Sequence, residues 1–257
     1  MPPEADRPTA TPRPEPAFYA RPGSRLGDWW SLLHPPYTAW HLSYVVFGAA
    51  LAPRVDWLNF GLAVVAFLLA VGVSAHALDE LNGRPLRTRI DSRTLWVLAA
   101  GCLVVAALLG GWVVARGVVA VIPLIPAGVL LAVGYNLEMF GGRLHNDLTF
   151  AAAWGGFPLL VGYLAQQPAA TLSHAAVAVA GVVAATASAY AQRALSTPAR
   201  ELRRRVSTVS GEVVRADGRV TTLDRAVLLG PLELALRALC WAMPLAAVAV
   251  LLTHARS

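Results

Sequence analysis

Seven times along this chain an apolar stretch runs for much of a bilayer's thickness with scarcely a charge inside it, at residues 39–52, 58–78, 95–115, 118–135, 148–165, 175–195 and 226–252. Crossing the hydrocarbon region as a helix takes roughly 17 to 25 residues. Because lipid offers the backbone no hydrogen-bond partners, such stretches have few choices besides the α-helix, whose bonds are internal to the segment. The expected fold is therefore all-α and polytopic, a membrane helix bundle of about seven helices, within a range of roughly six to nine. The composition agrees: 56% of the 257 residues are hydrophobic and only 14% are charged, far from the soluble average.

The segments outside these stretches have their own character. Residues 1–25 are rich in proline, carry no apolar core of the kind a secretory signal requires, and read as a disordered tail. Residues 26–36 contain LGDWWSLL, whose paired tryptophans suit a helix lying in the headgroup region. The transmembrane domain is expected over 37–253, interrupted by an Arg-rich loop at 199–225. There GEVVRADGRVTT places β-branched residues around Asp217-Gly218, the pattern of a small β-hairpin. Cys102 and Cys240 both lie in apolar runs and are expected to be free thiols.

All 21 basic residues are arginine, and their distribution orients the chain. With the N-terminus in the cytoplasm, the cytoplasmic side collects Arg7, Arg13, Arg21 and Arg25, then Arg84, Arg87, Arg89 and Arg93, then Arg143, and finally the run from Arg200 to Arg225. The opposite side receives Arg54, Arg116 and Arg256. The positive-inside rule thus puts the N-terminus in the cytoplasm and the C-terminus outside. Topology accounts for the net charge of +6, so no nucleic-acid partner is called for.

Three polar clusters fall on the arginine-rich side. In SAHALDELNGRPLRT, His76, Asp79 and Glu80 stand at i, i+3 and i+4 and could share a divalent cation, or else anchor a helix end at the water boundary. Arg84 and the arginines after it would meet an anionic substrate or lipid headgroups. In GGRLHND, either Asn146 or Asp147 caps the next helix, with Asp147 the alternative candidate for chemistry and Arg143 and His145 beside it. In AYAQRALSTPARELRRR, Tyr190 is either an interface aromatic or a substrate contact, and Arg193 either snorkels to water or reaches an anion. The mid-membrane portions of the helices are almost free of charge, which favours a one-sided site over an alternating-access pathway.

These clusters, in this order, resemble the UbiA superfamily of intramembrane prenyltransferases over roughly residues 28–205. The resemblance is carried by HPPYTAWHLSYVVFGAALA at 34–52, by SAHALDELNGRPLRT, and by YNLEMFGGRLHNDLTFAAAWGGFPLLVGYLA at 135–165. It implies removal of diphosphate from a polyprenyl diphosphate, with Mg²⁺ bridging two aspartate-rich motifs and the leaving group. Carried over, it implies Asp79, Glu80 and Asp147 as catalytic groups, His76, Asp79 and Glu80 as metal ligands, and Arg84, Arg143, Tyr190 and Arg193 as substrate contacts. It also implies an isoprenoid and membrane lipids as partners. The sequence departs from the family pattern: Ala75, His76 and Gly83 stand where three first-motif residues belong, and after Tyr190-Ala191 the second motif's acids are replaced by Ala194 and Pro198. A non-catalytic protein binding an isoprenoid lipid, or a membrane partner, through the same cavity is the alternative.

Overall fold

The computed structural model describes residues 17–21 and 23–254, so the tail reading for residues 1–16 and the terminal Arg256 lie outside the described residues. Helix α1 (Arg25–Leu33) starts at Ser24, whose side chain accepts from the Gly27 N–H, and ends at His34 in the left-handed conformation. Pro35 then opens α2 (Pro35–Leu51), where its fixed φ suits a first helical position. The remaining rods are α3 (Trp57–Leu81), α4 (Ser92–Ala115), α5 (Val119–Asn136), α6 (147–164), α7 (Leu172–Arg204) and α8 (Arg225–Leu251). Five of the eight helices, all but α1, α2 and α6, are long and apolar enough to cross a membrane by length and composition. Between α7 and α8, strands β1 (Glu212–Val214) and β2 (Val220–Thr222) pair antiparallel, with Val214 opposite Val220.

The helix starts are capped as their sequences dictate. Asp56 accepts from the backbone N–H of Leu58 and Asn59 at the start of α3, and Asp91 accepts from Thr94 at the start of α4. The Asn59 N–H above all, with Arg116 adding to it, holds the Asp56 carboxyl below the usual carboxylate range. Asp56 also ties the short connections at that end of the bundle together: Arg116 bonds both Asp56 and Asn59, and Gln166 accepts from the Asp56 N–H. At the other end, Asp28 of α1 bonds Arg89 at 2.8 Å, and Asn82 donates to the Asn136 carbonyl. That end gathers α1, the connections 82–91 and 137–146, and the last turns of α7.

The apolar run of α7 suggests a stop near residue 195, before Ser-Thr-Pro, yet the helix continues through Pro198 to Arg204. Proline removes one backbone donor, and the residues after it, Ala199 to Arg204, are good helix formers. Packing supplies the rest, since Ala199, Leu229 and Leu236 form a buried cluster that joins the extension to α8.

At the centre, α6 lies against both α2 and α7 through glycine. A Cβ on Gly48 would meet the Leu159 carbonyl, and one on Gly162 would meet the Val45 carbonyl. On the α7 side, a Cβ on Gly155 would come within 2.5 Å of the Ala185 carbonyl. In lipid, where apolar side chains gain little by turning inward, such close approach is a main source of helix association. Around it, Trp40 donates to the Tyr44 hydroxyl at 2.8 Å, which in turn donates to Ser188 of α7. Gly162→Val is expected to lower the melting temperature of the detergent-solubilised protein by an amount corresponding to about 2 kcal/mol or more. Gly61→Val, at a position with open space around the added atoms, leaves it nearly unchanged.

Candidate functional site

The arginine-bearing end encloses a polar cavity of about 310 Å³. Helix α2 contributes Tyr37 and His41, α3 contributes His76 and Asp79, α5 contributes Tyr135, and α6 contributes Phe150 and Trp154. Helix α7 supplies the cations: Arg193, Arg200, Arg203 and Arg204 all line the cavity, together with Gln192 and Ser196. Against these four arginines stand two lining carboxylates, Asp79 and Glu138.

His76, Asp79 and Glu80 do not act as one set of ligands. Residues 79 and 80 are separated by about 100° around a helix axis, and only the face of His76 and Asp79 meets the cavity. Glu80 is fully buried on another side, where its carboxylate accepts from the N–H groups of Leu86 and Thr88 and from the Thr88 hydroxyl at 2.8–2.9 Å. It fixes the 82–91 connection. Arg84 lies in that same connection and donates to the Ile90 carbonyl and to Ser92, outside the cavity lining. Arg143 and Tyr190 are exposed and also outside it. Asn146, rather than Asp147, caps α6 by accepting from Thr149. Asp147 instead bonds Arg193 at 2.8 Å, while the Arg193 guanidinium sits 5.0 Å from the centre of the Phe150 ring.

Several lining residues carry no short-range signal in the sequence. His34, Tyr19 and His41 come from the segment 17–41, and Arg200 from the part of α7 beyond its apolar run. The segment Ala17–Arg21 turns back along α1, with Trp30 donating to the Tyr19 carbonyl and Ser31 accepting from the Arg21 N–H. Tyr19 thereby lies 4.9 Å from the His34 ring, and His34 lies 4.4 Å from His76. Burial pushes the Tyr19 phenol up to about 12, so it is a neutral hydroxyl.

The four cavity histidines are oriented alike. Nδ1 of His34, His41, His76 and His145 faces the carbonyl oxygen of Leu32, Trp154, Gly72 and Tyr135 respectively, at 2.9–3.3 Å. A carbonyl only accepts, so Nδ1 carries a proton in each, and a neutral ring is held as the tautomer whose Nε2 accepts. Two further buried atoms, the Tyr135 hydroxyl and Gln192 Oε1, have no hydrogen-bond partner among the described residues. Buried polar groups of this kind usually mark a place where something else completes the network.

A magnesium ion held by carboxylates does not fit these residues. Mg²⁺ requires near-octahedral oxygen coordination, commonly with one or two carboxylates besides substrate phosphates and water. Here no three His, Cys, Asp or Glu residues converge among the described residues. Glu80 and Asp147 are engaged elsewhere, and four guanidinium groups oppose a divalent cation at the same cavity.

Beneath the polar cavity runs an apolar groove of about 100 Å³ between α3, α4, α5 and α6, lined by residues such as Phe67, Leu103, Ile125, Gly128 and Phe157. Trp154 lines both spaces. A donor- and acceptor-rich chamber therefore adjoins a hydrocarbon-like slot at one indole.

Burial, and secondarily the neighbouring His76, depress the His34 imidazole well below its ordinary value of 6.5. The unfolded chain then binds the proton first. The stability that neutral His34 contributes is complete above about pH 6.5 and is lost as pH falls toward the depressed folded value. Melting of the detergent-solubilised protein between pH 8 and 5 is expected to show this loss, and His34→Gln to flatten the pH dependence at its acid end.

No family model matches the sequence, and no curated protein matches it significantly. Among solved structures, the apo structure of a UbiA homolog from Aeropyrum pernix K1 is similar, at 16% identity and a TM-score of 0.49, over 85% of this chain and 80% of that one. At that distance the similarity assigns neither an activity nor a ligand.

Proposed function

We propose that the protein binds an isoprenoid lipid, its polar head in the arginine-lined cavity and its chain in the adjoining apolar groove. The observation that carries this reading is the junction at Trp154 between the two spaces. A soluble metabolite would have no use for the groove. The sequence resemblance in residues 34–52, 74–88 and 135–165 points to the same substrate class. With the arginine asymmetry read as positive-inside, the cavity faces the cytoplasm and takes its lipid from the inner leaflet.

A second reading, transfer of the prenyl group, is favoured by the presence of Asp79 in the same cavity as Arg193 and Arg200. In that reaction the allylic C–O bond breaks, diphosphate leaves against the guanidinium groups, and an acceptor nucleophile captures the allylic carbon. The two readings separate cleanly: transfer releases diphosphate from farnesyl diphosphate and is lost in Asp79→Asn, whereas binding alone releases none.

The binding reading is tested by purifying the protein and identifying co-purifying lipids by mass spectrometry. An isoprenoid lipid is expected. Gly128→Leu, which fills the groove beside Phe157, should reduce its recovery several-fold while the protein still elutes as a folded species. Recovery of no isoprenoid, or equal recovery from the groove variant, would sink the proposal.

A further inference from the structure

We infer that the head of this lipid is a phosphate or diphosphate ester recognised without metal, by Arg200 and Arg204 with Arg193 and the Tyr135 hydroxyl; the inference rests on the lipid-binding reading above. Residues 193, 200 and 204 are 7 and 11 positions apart. At about 100° per residue, positions 200 and 204 each return to within about 20° of position 193, one on either side, so the three span about 40° of the helix. All three line the cavity, so the extension of α7 past Pro198 presents one stripe of guanidinium groups to it.

The members of the stripe are not equally engaged. Arg193 is occupied by Asp147, and Arg203, on the neighbouring face, is held by Glu233 of α8 at 2.7 Å. Arg200 is half-buried, with neither a hydrogen bond nor an ion pair among the described residues, and Arg204 is likewise without either. The opposing groups are few. Asp79 lines the cavity with these arginines, and Glu138 is at its exposed edge 4.0 Å from His145. The Tyr135 hydroxyl is buried, has no hydrogen-bond partner among the described residues, and belongs to a side chain that lines the cavity with Arg193 and Arg200.

This is a set of donors. Guanidinium groups do not ligate metals, do not lose their protons, and match the spacing of two oxygens on a tetrahedral phosphorus. Where a carboxylate cradle would recruit a cation to neutralise a phosphate head, these side chains neutralise it directly. The disagreement with Mg²⁺ noted above is then a property of the recognition chemistry, since cation and guanidinium stripe would compete for one anion.

The test uses the full chain in detergent micelles, with farnesyl diphosphate, farnesyl monophosphate and farnesol as probes, in EDTA and in MgCl₂. Diphosphate is expected to bind as tightly in EDTA as in Mg²⁺. Arg200→Gln should weaken it about tenfold or more, the loss expected of a charge-assisted donor pair, and Tyr135→Phe should weaken it less. Farnesol binding is unchanged in both variants, which also shows that they fold. The monophosphate arm tells whether one phosphorus or two is read. Diphosphate binding that requires Mg²⁺, or that survives Arg200→Gln while farnesol still binds, overturns the inference and leaves the lipid-binding reading standing. Failure of all three probes to bind takes down both.

Discussion

The close approach of α6 to α2 and α7 is the contact on which the rest of the bundle depends. Gly48, Gly155 and Gly162 bring backbone against backbone, so the central helix cannot shift outward without losing both neighbours. This fixes where Phe150 and Trp154, on the same helix, face the two spaces they line. It also fixes α7, whose far end carries the cavity's arginines. A site at one end of the molecule is thereby positioned by contacts in the middle of it.

Charge placement follows the same economy. An ionisable side chain within a helix bundle is costly unless it meets a partner or water, and the charges of the cavity are arranged accordingly. Arg203 is set by Glu233 across the α7–α8 contact, and Arg193 by Asp147 at the start of α6. Arg200, between them in sequence, has no such partner among the described residues and is the group through which the proposed anionic head would gain most. Glu80 resolves the opposite problem, a buried carboxylate satisfied by three donors from a connection that would otherwise lack a fixed shape.

Much of this architecture is legible in the sequence because lipid permits so little else. Each apolar stretch becomes a helix, and Asp217-Gly218 marks its hairpin from local turn chemistry alone. The limits are set by tertiary packing. Pro198 reads as a helix end, and only the cluster of Ala199 with Leu229 and Leu236 explains why it is not one. Spacing brings His76 and Asp79 to one face but does not separate Glu80 from them, because a neighbour at i+4 looks equivalent until the cavity chooses a side. Arg84, Arg143 and Tyr190 lie near the right clusters and outside the cavity lining. Tyr19, His34, His41 and Arg200 converge from distant parts of the chain, which no local pattern records.

Two helices contain wide turns of π geometry, Leu68–Ala75 in α3 and Ala152–Gly156 in α6. Such turns hold one residue more than an α-helix of the same length. Gly72 and Trp154, the carbonyls that receive His76 and His41, lie inside them. The surplus residue and the imidazole orientation are thus one feature. Removing a residue from either turn would move that carbonyl relative to its ring while leaving the span, its hydropathy and the histidine in place.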